Sequence, residues 1–138
     1  MKIIVTGSPD FKFVAKNPDN GHTFSIGASK SIGGDESGFR PMQILLAALA
    51  GCAGVDVVNI LKKSREPFES VEIEVEGDRK EGTPSPFKTI RARFIVHGKG
   101  LNLAKAQKAV KLAIEKYCSV ASSLDPAIKV EASAEIKA

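Results

Sequence analysis

The segment Ile44–Val55 most constrains how this chain can fold, because twelve consecutive residues carry no polar side chain. Pro41 is well placed in the first turn of a helix, and the cations Lys62 and Lys63 suit a helix C-terminus. The sequence therefore predicts a helix from about residue 41 to residue 63. An apolar run of twelve residues is too short to cross a bilayer, so we expect a buried helix and no membrane association.

The first half of this helix is apolar on nearly every side, which predicts a central position in the fold. Several of its residues are small, so a neighbouring backbone can approach closely. Gly51 and Gly54 each cost about 1 kcal/mol of helix propensity relative to alanine. Close packing, including packing against a second copy of the chain, is a physical reason to retain them.

The remaining segments predict an α+β fold in one domain spanning residues 1–138. Asn102 can cap a second helix, whose apolar stripe includes Leu103, Val110 and Tyr117, and a short helical segment follows at 119–124. Strands at 71–76 and 87–97 should form an antiparallel pair. Further strands are predicted in the first five residues and at 11–16, 22–26 and 128–136.

The composition argues against nucleic acid and against a metal centre. The net charge is +4, but Lys and Arg are interleaved with Glu and Asp, and the chain has one Tyr and no Trp for base stacking. His22 and His97 lie in predicted strands with no ligand at metal spacing. No secretory signal is visible at Met1–Gly7, and two cysteines are too few for a disulfide scaffold. We therefore expect a cytoplasmic protein.

The two cysteines, Cys52 and Cys118, make thiol chemistry the first hypothesis. A thiol is a good nucleophile only as the thiolate. Cys52 lies about three turns into its helix, where the dipole helps little and apolar surroundings raise a pKa. Its activation would need a nearby cation, for which Arg40 and Lys30 in the preceding loop are candidates. Cys118 precedes a short helix, a better electrostatic position for a thiolate.

Two alternatives stay open at this point. Cysteine is often a small buried hydrophobe, so both thiols could simply pack. Glu115, three residues before Cys118, could accept a proton or be a surface carboxylate, and Asp56 shares a helical face with Cys52 but would oppose a thiolate.

The segments at 51–61 and 115–121 resemble the OsmC/Ohr family of osmotically inducible and organic hydroperoxide resistance proteins, and the likeness covers nearly the whole chain. The resemblance implies an intertwined homodimer and a thiol peroxidase acting on organic hydroperoxides in oxidative-stress defence. By resemblance, Cys52 is the peroxidatic thiol and Cys118 the resolving thiol. An external dithiol, lipoyl-type or thioredoxin-like, would reduce their disulfide, and no metal, haem or flavin would be needed.

The sequence departs from the family pattern at the charged partners of the first cysteine. Well-studied members have a glutamate ten residues before it, where this chain has Met42. No clear counterpart of their activating arginine exists: Ile32 falls near one such position, and Arg40 stands immediately before Pro41. We therefore expect Arg40 to act as the thiolate-stabilising cation. The alternative is a non-enzymatic OsmC-like protein that responds to redox conditions or binds a hydrophobic small molecule.

Overall fold

The computed structural model describes all 138 residues as two compact units, Met1–Leu45 and Leu46–Ala138. Strands and helices occur in the order β-β-β-α-β-β-α-α-β; the first three strands form one sheet and the last three form another. The α+β class predicted from the sequence is confirmed. The interpretation of residues 1–138 as one domain stays a prediction.

The first unit contains an antiparallel sheet in the order β1-β2-β3. A turn connects the second strand to the third, and in it the Asn17 N–H donates to the His22 carbonyl at 2.9 Å. The predicted hairpin is therefore confirmed, whereas the first strand begins later than expected. The strands are β1 (Ile4–Gly7), β2 (Phe13–Lys16) and β3 (Thr23–Ile26).

This sheet has almost no apolar core of its own. Ala15 is the only hydrophobic side chain of the first unit that is buried. Neighbouring residues on β1 and β2 are both exposed, although side chains alternate between the two faces of a strand. Both faces therefore present apolar surface, through Ile4, Val5, Phe13, Val14 and Phe24.

The long helix α1 (Pro41–Lys63) has the bounds predicted from the sequence. By length and composition alone it could cross a membrane, a test that the core helix of a soluble protein also passes. Its buried residues recur every three or four positions and so form one stripe. They are Leu49, Ala50, Ala53, Gly54, Val57 and Leu61.

Burial of α1 within one chain is one-sided, although the first half of the helix is apolar on nearly every side. Val55 is 71% exposed and Gly51 is exposed as well. On the buried side, a Cβ on Gly54 would lie 2.7 Å from Cδ1 of Ile73, so this glycine permits close packing against a strand. A Cβ on Gly51 would meet no atom within 4 Å. The chain itself leaves that side of α1 uncovered.

The second sheet has the order β4-β5-β6, formed by β4 (Ser70–Arg79), β5 (Phe87–His97) and β6 (Lys129–Lys137). The predicted antiparallel pairing of β4 with β5 is confirmed, and β6 joins β5 in parallel. One face is charged: Arg93 lies 2.7 Å from Glu74 and 2.8 Å from Glu135 across both neighbouring strands.

The segment after β5 forms helix α2 (Leu103–Leu112), a π-helical turn (Ala113–Tyr117) and helix α3 (Ser119–Ser123). The predicted cap is confirmed, since Asn102 Oδ1 accepts the Lys105 N–H at 3.1 Å. Leu103 and Tyr117 are exposed, which corrects part of the predicted apolar stripe. Leu103 lies at the very start of α2. The wider π turn rotates Tyr117 out of register with the buried residues before it.

Candidate thiol site

Cys52 lies on α1 and is half-buried with a free thiol. It immediately precedes Ala53, a member of the buried stripe, and so stands at the margin between the covered and uncovered sides of the helix. Asp56, four residues on, is also half-buried. The sequence suggested a deeply buried thiol, whereas the structure leaves Cys52 partly open.

Cys118 lies at the junction of the π-helical turn and α3, and it is 3% exposed. Its N–H donates to the Ala113 carbonyl at 2.8 Å, which closes the π turn. The backbone then becomes extended (φ −69°, ψ 108°), so Cys118 is the N-cap of α3. Its Sγ accepts a hydrogen bond from the Ala121 N–H at 3.3 Å. Backbone geometry therefore fixes the direction of this side chain.

The two thiols are neighbours in space, although they belong to different helices. Burial raises the pKa of Cys118, and the Ala121 N–H opposes that rise. The Cys52 side chain raises the pKa further, through a side-chain hydrogen bond and through charge. Both cysteines are free thiols.

The expected electrostatic advantage of Cys118 is present but outweighed. The backbone amides of Val120 and Ala121 lower its pKa, as a helix N-terminus should. Burial has the larger effect in the opposite direction. The net result is a thiol that holds its proton at neutral pH beside a more accessible thiol.

Arg40, the predicted cation, has a partner within the first unit. Its Nη1 lies 3.1 Å from Glu36 Oε1, and its backbone N–H donates to Gln43 Oε1 at 2.9 Å. Lys30 is exposed in a short 3₁₀ turn, Lys30–Ile32. Arg40 and Cys52 belong to different units, so the role of Arg40 stays a prediction.

The remaining titratable candidates give no further chemistry at this site. Glu115 is exposed in the π-helical turn, and no cation lies within 4 Å of it. No group of three or more His, Cys, Asp or Glu side chains is arranged to hold a metal ion. The chemistry available at this site is therefore that of two adjacent thiols.

The sequence predicted the place of Cys118 before a short helix but not the π-helical turn that precedes it. The predicted apolar stripe of α2 continues through this turn to Tyr117, so no break in periodicity marks residues 113–117. The sequence also could not show that the amides of Val120 and Ala121 are the ones that act on Cys118.

This chain is similar in sequence and in fold to proteins of one family. The family model described as OsmC-like protein matches residues 33–133. Protein YhfA of Escherichia coli strain K12 is 41% identical over 98 residues, which cover 71% of this chain and 73% of that protein. A hypothetical protein of Aquifex aeolicus VF5 has a similar structure (TM-score 0.84, 32% identity) over 99% of this chain and 95% of that chain.

The fold also matches a structure described as an organic hydroperoxide resistance protein OsmC from Legionella pneumophila. The TM-score is 0.71 and the identity 18%, with 98% of this chain and 97% of that chain covered. Identity at this level supports the shared fold alone.

Proposed function

The chain belongs to the OsmC-like family, and from this membership and its adjacent thiols we propose that it is a cysteine-based peroxidase that reduces organic hydroperoxides. The proposal is carried by the proximity of Cys52 to Cys118, close enough for the Cys52 side chain to raise the pKa of the Cys118 thiol, since neighbouring thiols let one be oxidised and the other resolve it. The substrate class is the one that the resemblance to the OsmC/Ohr family implies.

The proposed reaction begins at the more exposed thiol. The Cys52 thiolate attacks the terminal oxygen of the hydroperoxide and breaks the O–O bond, and the alkoxide takes a proton and leaves as the alcohol. Cys52 becomes a sulfenic acid. Cys118 then attacks the Cys52 sulfur, and its thiol proton and the sulfenic hydroxyl leave as water. A Cys52–Cys118 disulfide results, and an external dithiol, lipoyl-type or thioredoxin-like, reduces it.

The differing environments of the two thiols support this division of roles. Cys118 is buried and its pKa is raised, so it stays protonated while Cys52 meets peroxide. Cys52 is the thiol that a substrate can reach from solvent. The apolar residues around it in α1 suit an alkyl hydroperoxide better than a small polar oxidant. The reaction needs no metal, haem or flavin.

Arg40 is our candidate for the cation that stabilises the Cys52 thiolate. Met42 occupies the position where the resemblance implies a glutamate, so the usual charged partner is missing. The guanidinium of Arg40 is exposed and paired with Glu36. An exposed pair of this kind is weak, so Glu36 does little to hold the guanidinium in place.

We further propose that the protein acts as a cytoplasmic homodimer. The first unit buries one apolar side chain, and α1 leaves Gly51 and Val55 uncovered. Large exposed apolar patches mark interaction surfaces, and the resemblance implies an intertwined dimer. A second copy would cover both surfaces and would give the apolar α1 a core environment.

A second function is favoured by the charged partners of the first cysteine that the resemblance implies and this chain lacks. With Met42 at the usual glutamate position and Arg40 paired with Glu36, Cys52 would react slowly with peroxide. The adjacent thiols could then serve a non-enzymatic protein that forms the disulfide as a redox response, or that binds a hydrophobic small molecule.

Stopped-flow measurement of thiol loss in the reduced protein separates these functions. A peroxidase should consume cumene hydroperoxide far faster than a free thiol does, and faster than it consumes hydrogen peroxide. Cys52→Ser should abolish this reaction, whereas Cys118→Ser should allow one turnover and accumulate a sulfenic acid. A reaction no faster than that of a free thiol would contradict the peroxidase and favour the second function.

A further inference from the structure

We propose that the reducing dithiol attacks the sulfur of Cys52, and that Cys118 is the leaving group, held as it departs by the backbone N–H of Ala121. This inference rests on the disulfide of the proposed function and assigns the direction of its reduction. A disulfide has two sulfurs, and the choice between them decides which cysteine carries the mixed disulfide with the reductant.

Access to solvent is the first argument. Cys118 is 3% exposed and lies between the π-helical turn and α3, whereas Cys52 is half-buried at the margin of the covered side of α1. The attacking thiolate must approach the sulfur that it attacks from the side opposite the leaving sulfur, in line with the S–S bond. A dithiol that arrives from solvent therefore meets Cys52.

Stabilisation of the departing sulfur is the second argument. Attack on Cys52 sends the electron pair of the S–S bond to Cys118, where a thiolate forms. Burial disfavours this thiolate, and the Ala121 N–H, which already donates to this sulfur at 3.3 Å, offsets part of that cost because hydrogen bonds to a charged acceptor are stronger. The geometry is fixed before the reaction because Cys118 is the N-cap of α3.

The same dithiol completes the reduction of the disulfide in two displacement steps. The dithiol's first sulfur forms a bond to Cys52 as the Cys52–Cys118 bond breaks, and the Cys118 thiolate takes a proton from solvent. The dithiol's second thiolate attacks its own first sulfur and displaces Cys52. Both cysteines end as thiols, and the dithiol is oxidised to its disulfide.

Mapping the mixed disulfide tests the inference on the unmodified chain. The Cys52–Cys118 disulfide is made with diamide, so that its formation does not depend on peroxide chemistry. Glutathione, a monothiol that cannot complete the second step, is then added briefly, and N-ethylmaleimide traps the freed thiol. Peptide mass spectrometry should find glutathione on Cys52 and maleimide on Cys118, with about a tenfold excess over the reverse arrangement.

A pair of proline variants tests the role of the amide. Ala121→Pro removes the N–H that faces Cys118, whereas Ser119→Pro is the matched control at the first helical position, where proline fits. The extended conformation of Cys118 suits a residue before proline, so the control should fold. We expect Ala121→Pro to slow reduction of the disulfide several-fold and to raise the pKa of Cys118. In Ser119→Pro, the rate of disulfide reduction and the oxidation rate of Cys52 should both match those of the unmodified chain.

The outcomes separate this inference from the peroxidase proposal. Glutathione found mainly on Cys118, or equally on both cysteines, overturns the inference even if the protein reduces hydroperoxides rapidly. Slow reaction with hydroperoxide overturns the peroxidase, while glutathione on Cys52 would still support the inference. Failure of diamide to form the disulfide would overturn both. Misfolding of Ala121→Pro, seen by circular dichroism, leaves the mapping on the unmodified chain to decide.

Discussion

Cys52 and Cys118 lie side by side on different helices, and the Cys52 side chain adds to the rise that burial imposes on the pKa of Cys118. The pair is therefore asymmetric before any oxidant arrives. One thiol is partly open to solvent, and the other is buried and protonated. This asymmetry suits the proposed division of roles, because peroxide reaches the open thiol first and the resulting sulfenic acid then condenses with the buried thiol.

The asymmetry predicts how Cys118 titrates when its neighbour is removed. In Cys52→Ala, the pKa of Cys118 should fall because the hydrogen bond and the charge of Cys52 are lost. It should nevertheless remain above the ordinary cysteine value, because burial is the largest cause of the rise. Thiolate absorbance in the ultraviolet, followed against pH, measures this pKa. A pKa that stays the same or rises would show that Cys52 does not contact Cys118 in solution.

The raised pKa of Cys118 also predicts a loss of stability at alkaline pH. The folded chain holds the Cys118 proton more tightly than the unfolded chain does. The corresponding stability is complete below the unfolded pKa, about 8.5, and is lost as pH rises through the higher folded pKa. The free energy of unfolding of the reduced protein, measured in urea, should therefore fall more steeply above about pH 8.5 than that of Cys118→Ser. Equal slopes in the two proteins would contradict the prediction.

The ends of α1 and the existence of β5 could be predicted because local residues determine them. Pro41 begins the helix and Lys62 and Lys63 end it, and both ends were correct to the residue. The parallel pairing of β6 with β5 could not be predicted, since it depends on the path of the chain through α2 and α3.

The candidate site was only partly predictable for the same reason. The sequence singles out Cys52 and Cys118 as the two thiols, but their adjacency depends on how distant helices pack. The π-helical turn that orients Cys118 is closed by a hydrogen bond from the Cys118 N–H to the Ala113 carbonyl. No residue type in the sequence predicts such a turn. The sequence shows that α1 is apolar, but it does not show which side of the helix the rest of the chain covers.

Glu66 joins the C-terminal end of α1 to the start of α2, and this predicts a stability effect. Its side chain is 5% exposed, lies 2.8 Å from Lys105 Nζ and accepts the Asn102 N–H at 2.9 Å. Lys105 first and Asn102 second hold the pKa of Glu66 below its usual range. Glu66→Gln should lower the thermal unfolding midpoint at neutral pH. The difference from the unmodified protein should shrink as pH falls below about 4.3, because a depressed pKa gives stability that acid removes.

Glu115→Gln is the matched control for this variant and also tests the proton-acceptor hypothesis. Glu115 is exposed and has no ion-pair partner, so the change should leave the unfolding midpoint where it was. If Glu115 is a surface carboxylate, the reaction of Cys52 with cumene hydroperoxide should also keep its rate. A midpoint that falls as far as in Glu66→Gln would mean that the Glu66 contacts do not stabilise the fold.

If Arg40 stabilises the Cys52 thiolate, removing Arg40 should slow the oxidation of Cys52, whereas removing the charge of its partner Glu36 should not. Arg40→Ala should slow the oxidation of Cys52 by about tenfold near neutral pH, because only the thiolate reacts and the variant lacks the cation that would stabilise it. Glu36→Gln frees the guanidinium and should leave the rate unchanged or raise it. Lys12→Ala, which removes a cation paired with Asp35 instead, is the control and should have no effect. If Arg40→Ala and Lys12→Ala react at the same rate, Arg40 is not the activating cation.

The uncovered side of α1 predicts the assembly state. Val55 is 71% exposed in one chain, and a carboxylate there would have to be desolvated if a second copy packs on it. Val55→Asp should therefore shift the protein from dimer to monomer in size-exclusion chromatography with light scattering at micromolar concentration. Thr83→Asp adds the same charge in the exposed loop between β4 and β5 and should remain dimeric. A monomeric unmodified protein, or a Val55→Asp variant that stays dimeric, would mean that this face is not the contact between copies.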